Sequence, residues 1–241
     1  MKEESLFISD LHLSLKKTET TQRFLRFLGN RAAGAERLFI LGDLFDAWIG
    51  DDDPTPPNGK IKAGLKKLVA SGTAVYLQLG NRDFLIGQRF SRETGVELLG
   101  DYVVIDLYGT PTLLMHGDLL CTDDLPYQAF RAKSRTPEWQ HAVLAKPLPI
   151  RLLLARWYRL RSHWHKRKKT QTIMDVNQDC VVKTMIRHRA TRLIHGHTHR
   201  PAVHELTLNG TPAQRFVLAE WRKTASVLCW NRSGYRIEDI H

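Results

Sequence analysis

Seven short apolar runs punctuate this chain, and five of them lead straight into a residue that can hold a metal ion. The runs are LFIS (6–9), RLFIL (37–41), AVYLQL (74–79), TLLMH (112–116), RLIH (192–195), RFVLA (215–219) and SVLCW (226–230). Unbroken apolar stretches of this length read as buried strands. Between the early ones lie helical patterns at 20–30 and 61–72, the second closing on Ser71-Gly72, a helix-end signal. Strands alternating with helices specify a layered α/β sheet. The last runs succeed one another with short gaps, which predicts antiparallel pairing at that end.

The stretch 125–190 breaks the rhythm, with no strand-like run. Its pattern predicts helices over 126–134, 151–169 and 173–189. The first two read as an insertion over 124–169 and the third as a return to the core, so 1–241 reads as one domain. Residues 51–59, DDDPTPPNG, read as a loop on composition.

The residues just past each strand carry the chemistry. LFIS leads to Asp10 and His12, RLFIL to Gly42, Asp43 and Asp46, and AVYLQL to Gly80, Asn81, Arg82 and Asp83. TLLM runs into His116 and Asp118, and RLI into His195, His197 and His199. In open α/β sheets, ligands bind beyond the carboxyl ends of strands. Five such ends would bring carboxylate, amide and imidazole groups to one edge. An oxygen and nitrogen set without thiolate suits Mn, Fe, Co or Zn. So many donors exceed one ion's needs. Two ions about 3.5–4 Å apart, sharing Asp43, would suit an in-line phosphoryl displacement. Taken singly each piece is weak: DLH is commonly a loop, GD a turn, and a lone His116 a satisfied core histidine. The ordered series is what carries weight.

The series DLH, GDLFD, GNRD, HGD, HGHTH resembles the signature of the calcineurin-like metallophosphoesterases, over about 1–120 and 190–241. The resemblance implies an α/β sandwich, two β-sheets flanked by helices, here with a helical lid insertion, and a two-metal site. Laid on position by position, it implies Asp10, His12, Asp43 and His197 on one metal and Asp43, Asn81, His116 and His195 on the other. His199 then falls outside the ligand set, and Asp46 orients a ligand. One position departs from the pattern. Many members carry histidine after GN as general acid, and here the residue is Arg82. Arginine stays protonated, so it donates protons poorly and clamps phosphate well. That shifts weight from simple monoesters towards diphosphates, whose leaving group needs little protonation.

The flanking text (LFISDLHL, ILGDLFDAWIGDDD, GNRDFLIG, MHGDLLCTDD, YQAFR, IMDVNQ, LIHGHTHRPAVHEL) is similar to a branch of that family acting on acylated UDP-sugars. The similarity implies hydrolysis of UDP-2,3-diacylglucosamine at its α-phosphorus, giving 2,3-diacylglucosamine 1-phosphate (lipid X) and UMP in lipid A biosynthesis. Manganese is the usual metal there. It implies catalytic parts for Arg82, Asp43 and His116, and substrate contacts at Asn81, Arg82, Asp124, Tyr127, Ser162, Lys166, Lys169 and His195.

Composition bounds the rest. The chain has 241 residues, 42% of them hydrophobic, enough to bury one core. Its N-terminus reaches polar residues too early for a secretory signal, and no run of eighteen apolar residues could span a bilayer. Cys121, Cys180 and Cys229 form no CxxC pair and read as reduced thiols. The expectation is a monomer at the cytoplasmic face of the inner membrane. A net charge of +11 calls for an anionic partner. Residues 147–169 interleave Leu, Ile, Trp and Tyr with Arg and Lys. The plain reading is an amphipathic helix with a solvated basic face. The functional one is a lid whose apolar wall takes acyl chains and whose basic wall meets the diphosphate or an anionic membrane. No nucleic acid is expected. A nuclease or cyclic-nucleotide phosphodiesterase of the same superfamily is the alternative, disfavoured by Arg82. A binding protein with a decayed site is disfavoured by the complete ligand set.

Overall fold

The computed structural model describes residues 3–166, 175–222 and 224–240, with side chains of 159–166 outside the description. Its strands are β1 (Ser5–Ile8), β2 (Arg37–Leu41), β3 (Ala74–Gln78), β4 (Glu97–Leu99), β5 (Val103–Asp106), β6 (Pro111–Leu114), β7 (Arg192–His195), β8 (Ala202–Leu208), β9 (Thr211–Val217), β10 (Ala225–Asn231) and β11 (Gly234–Ile240). The helices are α1 (Thr18–Gly29), α2 (Asn58–Ala70), α3 (Gln88–Thr94), α4 (Leu125–Ser134), α5 (Pro137–Leu144), α6 (Leu148–Lys166) and α7 (Gln178–Arg187).

The strands form two sheets, in the orders β11-β10-β1-β2-β3-β4 and β5-β6-β7-β9-β8. Alternate side chains of each central strand enter different cores. Leu6 and Ile8 of β1 and Leu38 and Ile40 of β2 face α1 and α2. Phe7, Phe39 and Leu41 meet Leu114, Ile194 and Phe216 between the sheets, where the Phe7, Phe39 and Tyr76 rings stack with centroids 4.9 and 4.8 Å apart. Leu113 and Leu193 turn the other way, onto Val181 and Met185 of α7. Coverage on both faces is why these strands read as unbroken apolar runs.

The runs at 215–219 and 226–230 do not pair with each other. β9 lies parallel to β7 in one sheet and β10 antiparallel to β1 in the other. The antiparallel ends are the hairpins β8–β9 and β10–β11. α7 starts at Gln178 rather than 173, because the Asn177 side chain accepts from Cys180 N–H at 3.0 Å and caps the helix there. Gly72 ends the α2 region with φ +86°, as its C-cap signal requires. All three cysteines are free, Cys121 and Cys229 buried and Cys180 half-buried.

No strand interrupts α4 to α6, and this segment joins the body in an unusual way. Among residues 125–158 only Arg131, Ser134 and Arg151 are buried. Each buried arginine grips a motif loop. Arg131 Nε donates to Asp118 Oδ2 at 2.7 Å and Nη2 to Asp101 at 2.8 Å. Arg151 Nη1 donates to the Ile49 carbonyl at 2.7 Å and to Asp52 Oδ1 at 2.8 Å, with Nη2 on Asp52 Oδ2 at 2.5 Å. Arg135, half-buried, donates to the Gly80 carbonyl at 2.7 Å. On α6 the apolar Ile150, Leu153 and Trp157 are 46%, 67% and 49% exposed. The expected amphipathic packing is therefore reversed in this stretch: an arginine faces the body and apolar side chains face out.

Candidate metal centre

The five motif loops converge at one edge of the paired sheets, and their backbone is strained to do so. Asp10, His12, Asp43, His197 and His199 all have left-handed φ, between 51° and 70°. Non-glycine residues rarely adopt it, and such strain clusters at functional sites. Two glycines admit their neighbours by having no side chain. A Cβ on Gly80 would strike the Asp43 carboxylate, and one on Gly196 would strike Ser9 and Asp10.

Hydrogen bonds fix the donors. Asp10 Oδ2 accepts from Ser9 Oγ at 2.7 Å and from His197 N–H at 2.8 Å. Asp43 Oδ1 accepts from Arg82 N–H at 2.8 Å. His116 Nδ1 lies 2.8 Å from the Leu41 carbonyl, which can only accept, so that nitrogen carries the proton and Nε2 is left to face the cluster. Nε2 sits 3.1 Å from Asn81 Oδ1 and 3.2 Å from His197 Nδ1, and Asn81 Oδ1 lies 2.9 Å from the same His197 nitrogen. Donor atoms of Asp10, His12 and His199 lie within 4.8 Å of one another, as do those of Asp10, Asp43 and His116.

Two histidines are not where the motif resemblance puts them. It assigns His195 to the second metal, with a substrate contact besides. His195 is fully buried, and both its nitrogens are engaged elsewhere: Nδ1 with the Gly196 carbonyl at 2.9 Å, Nε2 with Arg215 at 3.2 Å. It is the last residue of β7 and still extended. His199, set outside the ligands, lies 3.1 Å from Asp10 Oδ1 and 3.3 Å from His12 Nε2. HGHTH contains the H-x-H spacing twice, so the resemblance fits in two registers two residues apart. His197 and His199 share the positive φ of Asp10, His12 and Asp43, and His195 does not.

The remaining expected residues divide. Arg82 lines the cluster, its Nη1 on Asp46 Oδ1 at 2.8 Å and its Nε 3.6 Å from Asp43 Oδ2. Asp124 caps α4, accepting from Tyr127 N–H at 3.2 Å. The Tyr127 hydroxyl, expected to meet substrate, donates instead to Asp118 at 2.5 Å, and its ring lies over His197 with centroids 6.3 Å apart. Burial and the Asp118 carboxylate push that phenol well above its ordinary range. Ser162 and Lys166 fall on α6 with their side chains outside the described residues, as does Lys169 altogether. Glu220, which no motif announced, joins the cluster from the loop after β9, with Oε2 2.8 Å from His199 Nδ1.

The electrostatics are those of a site short of positive charge. Burial pushes the Asp43 carboxyl up to about 7, and Asp83 and Asp10 add repulsion. Burial, with Arg82 close by, holds His12 neutral down to about 2. His12 Nδ1 is buried without a hydrogen-bond partner, 3.7 Å from Asp43 Oδ2. An orphaned ring nitrogen facing a carboxylate at that distance, amid oxygen and nitrogen donors, suits divalent cations.

The chain is similar to proteins already known over most of its length. UDP-2,3-diacylglucosamine hydrolase of Enterobacter sp. is 53% identical over 233 residues, 97% of each chain. The protein of that name from Marinobacter nauticus is 52% identical over 217 residues, 90% of this chain and 89% of the other. A phosphoesterase of known structure from E. coli overlays with a TM-score of 0.46 at 18% identity, covering 95% of this chain and 88% of that one. The profile of the calcineurin-like phosphoesterases matches residues 5–201, a span that holds the strand-end donors from Asp10 to His199. The chain belongs to the calcineurin-like phosphoesterase family.

Proposed function

We propose that the chain hydrolyses UDP-2,3-diacylglucosamine, with water attacking the α-phosphorus, to give UMP and 2,3-diacylglucosamine 1-phosphate in lipid A biosynthesis. The observation that carries this reading is a cluster of oxygen and nitrogen donors with an arginine beside it, in a chain 53% identical to a UDP-2,3-diacylglucosamine hydrolase. One cation is assigned to Asp10, His12, Asp43 and His199, the other to Asp43, Asn81, His116 and His197. Mn²⁺ accepts such a set. Bound there, the two ions would activate water and offset charge on the attacking and leaving oxygens.

The protein's own groups do the rest. Asp46 holds the Arg82 guanidinium at the cluster's rim, where it meets the diphosphate as charge develops. The departing phosphate monoester is stable as an anion, so no protein acid is needed, and none stands in the Arg82 position. Asn81 and Asp124 orient the substrate, as do Ser162, Lys166 and Lys169.

Residues 124–169 act as a lid within a single domain. The exposed Ile150, Leu153 and Trp157 suit acyl chains and a membrane surface, at about 0.8 kcal/mol per buried methylene. Among the described residues no helix is long and apolar enough to cross a membrane. The reading places the chain peripherally at the cytoplasmic face of the inner membrane. The reading takes the chain as a monomer.

The test is turnover of UDP-2,3-diacylglucosamine in detergent, with EDTA and then with excess Mn²⁺, products identified by mass. Release of UMP and the 1-phosphate only with metal is the expected result. A metal-loaded protein that leaves this substrate intact refutes the assignment. Arg82→Ala should lower kcat/KM about 100-fold or more and leave metal uptake unchanged.

A further inference from the structure

Glu220 sits in the loop between β9 and β10, and its carboxylate is shared by four basic groups. Oε2 lies 2.8 Å from His199 Nδ1 and 2.6 Å from Arg222 Nε. Oε1 lies 3.6 Å from Lys17 Nζ and 3.9 Å from His12 Nε2. The side chain is only 9% exposed. Its backbone is held on both sides. Leu218 N–H donates to the His195 carbonyl at 2.8 Å, and Trp221 N–H to the Asp10 carbonyl at 3.2 Å. The Trp221 indole is fully buried against Phe24 and Phe27. Arg23 donates to the Arg222 carbonyl at 2.8 Å. The carboxylate is thus delivered to one place by a segment that cannot easily shift.

We infer that Glu220 is a positioning residue for the metal centre. By accepting the Nδ1 proton of His199 it fixes the ring's tautomer and orientation, so that Nε2 faces Asp10 and the cation expected beside it. A ligating histidine commonly donates its other nitrogen to a carboxylate in this way, and loss of the carboxylate costs roughly 10–100-fold in metal affinity or activity. The inference rests on the two-cation reading above and adds a residue that neither the motif series nor the family resemblance singles out. Lys17 and Arg222 pair with the same carboxylate.

The test is a Mn²⁺ titration of EDTA-stripped protein, read as free Mn²⁺ by electron paramagnetic resonance. It needs no substrate. Glu220→Ala should weaken one of the two binding steps about 10–100-fold and leave the other as in the parent chain. Glu220→Gln, whose amide oxygen can still accept from Nδ1, should recover most of that loss. A circular-dichroism melt of each variant checks the fold. Unchanged uptake of both ions by Glu220→Ala overturns the proposal and leaves the two-cation reading standing. Equal losses in the Ala and Gln variants overturn the hydrogen-bond role. A parent chain that takes up no Mn²⁺ sinks both proposal and reading.

Discussion

Around Asp10 the structure holds each group several times over: a carboxylate with three hydrogen-bond partners, a left-handed backbone, a fully buried tryptophan next to the neighbouring loop. Along α4 to α6, among the residues whose side chains are described, no hydrophobic residue is buried at all. The insertion is attached by arginines to loops, and by a half-buried aromatic joint in which Phe130 meets Phe84 and Trp139 at centroid distances of 6.5 and 6.2 Å. The body is thus held by buried apolar contacts and hydrogen bonds together, the 125–158 segment by polar bonds and the partly buried Trp139, Val143 and Leu144. A layer held by few directional contacts opens locally at low cost, as a lid must, whereas a metal site needs its donors held within a fraction of an ångström.

Three experiments press on that difference. The largest effect belongs to the cluster. His116→Ala should lower turnover more than about 1000-fold, the loss of some 4 kcal/mol from the transition state, with an unchanged circular-dichroism spectrum. Near-parent rates would mean that the strand ends are scaffold only. Next comes the attachment of the insertion. Arg151→Ala removes bonds to Ile49 and Asp52, and hydrogen bonds to charged groups contribute about 1.5–3 kcal/mol each. Limited proteolysis within 124–169 should speed up on the order of 10–100-fold, while hydrolysis of a small soluble diester stays near the parent rate. Unchanged proteolysis, or a diester rate that falls as far as proteolysis rises, would erase the contrast.

The smallest effect is a shift in stability. Asp43 has a folded-state pKa raised above its ordinary value, so its penalty is absent below about 4, grows as pH rises towards 7, and is complete above that. Asp43→Asn should therefore raise the melting temperature in EDTA at pH 8 by a few degrees, and lose that advantage at pH 4. Mn²⁺ should stabilise the parent chain and not this variant. A melting temperature in EDTA that falls on substitution would show the carboxylate to be well accommodated without a cation.

The sequence was legible where burial left a one-sided signature. The seven apolar runs are the seven interior strands: β10, β1, β2 and β3 of one sheet, β6, β7 and β9 of the other. The four strands it hid, β4, β5, β8 and β11, are the four edges. Edge strands face water on one side and carry polar residues, as GYRIEDI of β11 does, so no apolar run marks them. In the site, the motif residues Asp10, His12, Asp43, Asn81 and His116 stand together. The histidine register is not legible in the sequence, because a repeat of period two looks the same after a shift of two, and only backbone geometry separates the choices. Glu220 was silent because nothing in AEWR looks like a motif; its partner is 21 residues upstream in sequence and adjacent only in space.

The glycines beside the donors make the motifs interdependent. Gly80 belongs to the third motif, but the room it leaves is occupied by Asp43 of the second; Gly196 belongs to the fifth and accommodates Asp10 of the first. A methyl group added at either place would act on a ligand more than thirty residues away in sequence. Substitutions at these glycines and at their distant ligands cannot be additive. A side chain at either glycine would thus disable a donor that its own motif does not contain, and restoring the donor alone would not repair the centre.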